Sequence, residues 1–421
     1  MPGASDDGAR EAIVAAWRAE SARLIGALVR MTRDLELAED LAQDALVAAL
    51  EQWPDAGVPD NPAAWLMTTA RRRAVDQFRR NQTLRRKTAE IGHGLSEEDP
   101  MGDLSEQVDL IEDDALRLIF LTCHPSLTPE SRAALTLRLV GGLTTAEIAR
   151  GFLVAESAMG QRISRAKRTL AHGGAEFDLP TGADRLARLD DVMGVVYLIF
   201  NEGYTATSGA DWMRPELSVE AIRLARMLSA LVPDEPEVHG LQALLELQHS
   251  RSAARLDASG GPVLLEDQDR DAWDRGLIES GLAARARAER LAARGTPVGR
   301  YFLQAMIAAE HVRAPTAHQT DWRRIAGLYD ALAAAAPGPI VEVNRAVAHG
   351  RAFGPDAGLA VLDALPVNAL AGSHLRPSVR GDLLARAGRA AEAAAAFAEA
   401  AALTQNAGER AVLLRRARLG S

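Results

Sequence analysis

Cysteine is nearly absent from this chain. Only Cys123 among 421 residues carries a thiol, so no intramolecular disulfide can staple the fold. Aromatic residues make up 4%, and lysine stands only at 87 and 167, leaving arginine to supply almost all positive charge. Strands favour β-branched and aromatic side chains, whereas Ala, Leu, Arg and Glu favour helices, so this composition predicts an all-α protein. No 18-residue apolar run occurs, and no signal-peptide pattern appears at Met1 to Arg10, which predicts a cytoplasmic protein with no membrane contact. Gly-rich phosphate loops, serine-nucleophile elbows and zincin motifs are also missing, so no catalytic residue and no cofactor is expected. Cys123-His124 lacks the further pair of ligands that zinc requires and reads as packing. The acids Glu266, Asp267, Asp269, Asp271 and Asp274 fail as a calcium loop, because Ala272 stands where the turn needs glycine; no metal is expected.

What is present is charge segregated by segment. The chain is 48% hydrophobic with a net charge of −9, long enough for several packed domains and without bulk attraction for nucleic acid. From Asp34 to Glu51 there are six acids and no base, while Leu35, Ala38, Leu41, Ala42, Ala45, Leu46 and Ala49 recur at helical spacing. This predicts an acidic amphipathic helix ended by Trp53-Pro54. A loop with Pro54, Gly57, Pro59 and Pro62 follows. Helical spacing then resumes from Ala63 to Arg80 through Trp65, Leu66, Val75 and Phe78 in a segment rich in arginine.

Glu97 to Asp114 holds nine acids and no base, with Pro100-Met101-Gly102 near its start, and reads as a linker. Helicity returns at Ala115–Cys123. Thr128-Pro129-Glu130 predicts an N-cap with proline at the first helical position, and Gly141-Gly142 a stop. Thr144 with Glu147 predicts a capping box, Ser157 a cap for a further helix, and Gly173-Gly174 its end. Two short helices joined by a tight turn make a helix-turn-helix. Beyond Pro180, helical stretches alternate with breaks near Pro233, Gly260–Pro262, Gly295–Pro297, Pro337–Pro339 and Pro366. Matching Gly350-Arg351-Ala352 to Gly388-Arg389-Ala390 predicts a helical-repeat array with a period of about 38 residues.

Three constellations carry chemistry. On the last helix of the helix-turn-helix, Met159, Ile163, Ala166 and Leu170 are placed to pack inward. Ser157, Gln161, Arg162, Arg165, Lys167 and Arg168 are left to a major groove, where arginine reads guanine edges and phosphates and glutamine reads adenine. Arg71, Arg72, Arg73, Arg79 and Arg80, near Trp65 and Phe78, suit holding a nucleic-acid backbone while bases stack on aromatic rings. Glu36, Glu39, Asp40 and Asp44 form a single-sign stripe that suits a basic protein surface.

The stretches LELAEDLAQDALVAALEQWP, NPAAWLMTTARRRAVDQFRR and LTPESRAALTLRLVGGLTTAEIARGFLVAESAMGQRISRAKRTL resemble regions 2 and 4 of bacterial sigma-70-family factors of the extracytoplasmic-function type. This resemblance covers roughly residues 10 to 174. VVYLIFNEGY, RPELSVEAIRLARML and LLEDQDRDAWD resemble the long tetratricopeptide-like C-terminal extension of one subgroup. The resemblance implies region 2 over 10–81, an acidic linker over 82–113 lying in channels of the polymerase, region 4 over 114–174 and the extension over 180–421. It implies that Glu39, Asp40, Gln43 and Asp44 bind the β′ clamp coiled coil of RNA polymerase core, with the β subunit a further contact. The Trp53–Asn61 loop, Trp65 and Arg71 to Arg80 would capture the −10 element of promoter DNA, and the helix-turn-helix would read the −35 element. Arg72 stands where many relatives carry asparagine.

These features predict an RNA polymerase sigma factor whose extension regulates it or binds a partner, such as a regulatory protein or peptide. The rival is a one-component helix-turn-helix regulator with a C-terminal sensor, which leaves the acidic helix unexplained. An enzyme centred on Asn201, Glu202 and Tyr204 would require a pocket of perturbed titrating groups.

Overall fold

The computed structural model describes residues 4–89, 107–152, 154–172, 180, 182–204, 215–257, 263–366, 368–404 and 407–419. Among them are 18 α-helices and no strand, so the chain is all-α. It divides into two compact units, Met1–Leu198 and Ile199–Ser421. The predicted linker core, Gly173-Gly174 and Gly260–Pro262 fall outside the described residues.

In the first unit, α1 (Ala4–Thr32), α2 (Leu35–Ala56) and α3 (Pro62–Ala89) pack on one another. Asp34 caps α2, its carboxylate accepting from the amides of Glu36 and Leu37. Trp53-Pro54 does not end this helix as expected. Pro54 lies in the last turn, and the stop falls at Gly57, whose φ of 85° suits glycine and whose amide bonds the Trp53 carbonyl. The Trp53 side chain is fully buried; that burial contributes about 1.5–3 kcal/mol, comparable with the ~3 kcal/mol a proline inside a helix can cost.

Then come α4 (Gln107–Thr122), α5 (Pro129–Leu139), α6 (Thr145–Gly151), α7 (Glu156–His172) and α8 (Gly182–Tyr204). Thr128 caps α5 with Pro129 in its first turn, and Gly142 turns the chain out of it at φ 70°. The capping box is formed: the Thr144 hydroxyl accepts from the Glu147 amide, and the Glu147 carboxylate accepts from the Thr144 amide at 2.7 Å. Burial pushes the Glu147 carboxyl up, but the Thr144 amide and hydroxyl, with Arg18 and Arg150, outweigh it and hold its pKa below the usual value. A carboxyl depressed in the folded state contributes stability above its unfolded pKa and loses it as pH falls. Replacing Thr144 with alanine is therefore expected to cost about 1 kcal/mol at neutral pH and progressively less in acid, as thermal melts across pH would show.

Three boundaries differ from expectation. The linker was expected to begin at 82, yet α3 runs on to Ala89. The stretch read as linker as far as 113 is helical from Gln107, and Asp114 is fully buried in α4 between Arg30 and Arg117, each 2.9 Å away. An acid with two cationic partners can be internal, which a count of acids does not reveal. The C-terminal extension was expected to start at 180, yet the beginning of α8 packs on the first unit. Arg188 donates to the Phe120 carbonyl at 2.6 Å, and Asp191 pairs with Arg132 at 3.1 Å. Pro180 marks a helix break, whereas the unit boundary falls inside α8.

In the second unit each helix packs chiefly on its near neighbours along the chain, the hallmark of a stacked array. They are α9 (Pro215–Leu231), α10 (Pro236–His249), α11 (Arg275–Ala292), α12 (Arg300–Arg313), α13 (Trp322–Ala335), α14 (Pro339–Phe353), α15 (Pro355–Asp363), α16 (Leu375–Arg386), α17 (Ala390–Leu403) and α18 (Ala407–Leu419). The period of about 38 is a misregister. Gly350 lies inside α14 with the Leu383 side chain against it, whereas Gly388 sits in the α16–α17 turn at φ 75°. The structural counterpart of Gly388 is Gly354, which turns α14 into α15 at φ 102°. Aligning these turn glycines sets buried Leu359 and Leu362 over buried Ala393 and Ala396.

Candidate polymerase and promoter interface

The first unit presents one acidic and two basic helices, and each departs in part from the sequence reading. On α2 the exposed ridge consists of Asp40 and Asp44, with Gln43 half-buried beside them and exposed Val47 and Leu50 further along. Asp44 pairs with Arg73 of α3 at 3.2 Å, both well exposed. Glu39 is different: it is 6% exposed and turned away from this ridge.

Two cations hold Glu39. Arg138 Nε donates to Oε1 at 3.0 Å, and Lys167 Nζ donates to Oε2. Lys167 belongs to α7, the second helix of the helix-turn-helix, so a residue expected to face polymerase and one expected to face DNA are bound to each other. Neighbouring contacts extend this seam. The Trp17 indole donates to the Gly142 carbonyl at 3.1 Å, Ser21 Oγ to the Val140 carbonyl at 3.4 Å, and Arg18 pairs with Glu147 at 3.1 Å. At Gly26 of α1 a Cβ would lie 2.5 Å from the Asp114 carbonyl oxygen, so only glycine lets α1 and α4 approach this closely. Nothing in the charge pattern signals this seam. A glycine in mid-helix, next to apolar positions, was its one sequence trace.

On α7 the expected core face is formed: Met159, Ile163, Ala166 and Leu170 are all buried. Ser157, Gln161, Arg165 and Arg168 are exposed, and Arg162 and Lys167 are half-buried. Ser157 is not the cap; the helix begins at Glu156, which puts Ser157 in its first turn. Arg165 lies against Gln161 at 3.4 Å, two groups of one exposed face.

On α3 the arginines divide. Arg72 and Arg79 are exposed, while Arg73 is tied to Asp44. Arg71 turns toward α1 and α4, where burial, and then the charge of Arg30, lower its pKa against the opposing pull of Asp114. The Arg80 and Phe78 side chains lie outside the described residues. Trp65 is half-buried, edge-on to Trp53 with ring centroids 5.4 Å apart, at the end of the Pro-rich loop. Cys123 is buried beside the Thr136 hydroxyl and its pKa is pushed up to about 11 by that burial, an inert thiol. Among the described residues no cluster could hold a metal ion, and no helix is long and apolar enough to cross a membrane.

Comparison with known proteins gives this arrangement its class. Residues 16–83 match the family model for sigma-70 region 2, and residues 117–170 that for sigma-70 region 4. Residues 188–289 match a family of unknown function (DUF6596). ECF RNA polymerase sigma factor SigK of Mycobacterium bovis BCG is 31% identical over 152 residues, covering 35% of this chain and 78% of SigK. SigK of Mycobacterium ulcerans is 30% identical over 183 residues, covering 40% of this chain and 94% of that protein. The chain therefore belongs to the ECF sigma factors of the sigma-70 family. Its likeness to Uncharacterized protein R00370 of Rhizobium meliloti extends through the second unit, at 45% identity over 398 residues, 92% of this chain and 91% of the relative. No solved structure matches.

Proposed function

We propose that the protein recruits RNA polymerase core to promoters, with α2 docking on the β′ clamp coiled coil, α3 and its preceding loop holding the −10 element, and α7 reading the −35 element. The observation that carries this reading is the exposed acidic ridge of α2 beside basic α3, joined in one unit to a helix-turn-helix whose outward face bears Gln161, Arg165 and Arg168. Asp40, Gln43 and Asp44 form the docking ridge, where the carboxylates steer a basic partner and Val47 and Leu50 add apolar area. Arg72 and Arg79 are placed for backbone phosphates, and Trp65 for stacking against an opened base.

Glu39 and Lys167 enter this scheme as a latch. While they are paired, Glu39 is unavailable to polymerase and Lys167 to DNA. Core binding supplies the interactions that replace the pair, and the two regions then separate to span the two promoter elements. The free protein accordingly binds promoters poorly, and DNA recognition follows core binding.

The second unit regulates this activity. This unit takes up more than half the chain, and its helices α9 to α18 form an array of the tetratricopeptide-like kind, whose usual role is to bind a protein or peptide. Run-off transcription with core polymerase compares the intact chain with one ending after Tyr204, so that α8 keeps its contacts with region 4. The truncated chain is expected to bind core and start at the same promoter with altered output. Identical output and identical response to inducing conditions would refute a regulatory role.

A further inference from the structure

The second unit contains a concentration of cations with too few anions to balance them. Arg251 precedes a 3-10 turn at Ser252–Ala254, Arg270 lies just before α11, and Arg351 lies late in α14; all three act on the imidazole of His311 at the end of α12. They come from three separate stretches of sequence, so helix periodicity does not explain their meeting.

Neutral groups hold Arg251 and Arg270, and Arg351 lies near an aromatic ring. Arg251 Nη2 donates to the Tyr204 hydroxyl at 3.0 Å. Arg270 Nη1 donates to the carbonyls of His311 and Ala314 at 2.6 and 2.7 Å, with its guanidinium 4.5 Å from the Trp273 ring centroid. Arg351 lies 5.3 Å from the Trp322 ring, against which His311 also packs at 5.3 Å. Among the described residues no carboxylate comes within ion-pair distance of Arg251 or Arg270. Glu266 pairs with Arg351 at 2.5 Å but also faces Arg386 at 3.4 Å, and Arg351 Nε is buried without a partner. Among the described residues, the carboxylate that reaches this cluster thus pairs with Arg351 alone and is itself divided with Arg386.

Partly buried like charges repel, and removing guanidinium groups from water is costly unless they are paired. Burial, followed by the charges of Arg251, Arg270 and Arg351, depresses the His311 pKa to about 4, so this imidazole is neutral and adds no further charge at physiological pH. Guanidinium forks held at fixed angles match the oxygens of an oxyanion such as phosphate, and the Trp322 ring offers an apolar wall beside Arg351. We infer that Arg251, Arg270 and Arg351, around His311 and Trp322, form a binding site for a small phosphate-type oxyanion. The binding itself is independent of the sigma reading; only a consequence for transcription rests on the regulatory role proposed for this unit.

Isothermal titration of the full-length protein with inorganic phosphate, and separately with phenyl phosphate, tests the site without reading transcription. Saturable binding of either is expected; tighter binding of phenyl phosphate would identify an organic phosphate lying on Trp322, and equal binding inorganic phosphate. R251Q removes one charge while leaving a donor near Tyr204, and is expected to weaken binding about tenfold or more, the loss of one charge-assisted hydrogen bond. R290Q, on an exposed part of α11, removes the same charge outside the cluster and is expected to bind as the parent does. Circular dichroism and melting confirm that both variants are folded. Absence of saturable binding to either probe, or equal affinity in folded R251Q and the parent, would overturn the assignment.

Discussion

A chain carrying D40K and D44K is expected to lose measurable affinity for RNA polymerase core while keeping its fold. Both side chains are exposed, so the reversal buries nothing, and the one ion pair it breaks, Asp44 with Arg73, is a surface pair worth about 0–1 kcal/mol. At the interface the same changes set lysines against a basic partner, where like-charge juxtaposition costs several kcal/mol, so about a hundredfold or greater loss is expected. Fluorescence titration of labelled protein with core measures it, with the melting temperature as the control for folding. Unchanged affinity would remove α2 from the docking surface.

The second large effect concerns the latch. In the double variant R138M/K167M, Glu39 loses both of its cations while still enclosed, and stranding a buried charge costs about 3–5 kcal/mol. The first unit can escape most of that cost by separating region 4 from region 2 so that Glu39 becomes hydrated. The variant is therefore expected to show a longer distance between fluorophores on α2 and α7, together with a lower melting temperature. Removing the stranded charge by adding E39Q should recover much of the closed population. A double variant with the parental inter-helix distance and stability would show that the seam rests on the contacts of Trp17, Arg18, Ser21 and Gly26 instead.

How much of this could be read from the sequence depends on what each residue signals locally. Thr128, the Thr144 and Glu147 pair, and the core face of α7 follow from rules that act within one or two turns, and they appear in the structure as expected. Glu39 and Asp114 show the limit of such rules. Each looks like one more acid in an acidic stretch, and each is buried because cations distant in sequence reach it: Arg138 and Lys167 in one case, Arg30 in the other. Charge counts assign acids to solvent, and only tertiary pairing reverses that. The repeat register failed for a related reason. Identical Gly-Arg-Ala triplets outweighed the turn glycines Gly354 and Gly388, although backbone conformation makes the latter the structural equivalents. The anion-site candidate gave no sequence signal at all, because Arg251, Arg270 and Arg351 meet only through the stacking of the array.

The central claim is that this chain works as a polymerase subunit whose promoter recognition depends on core. Binding of a fluorescent promoter fragment, titrated with the intact chain alone and then in the presence of core, tests it directly. The account predicts weak, strongly salt-dependent binding by the chain alone and sequence-specific, strand-opening binding once core is added. Tight sequence-specific duplex binding by the free chain, unaltered by core, would contradict it and favour a one-component helix-turn-helix regulator.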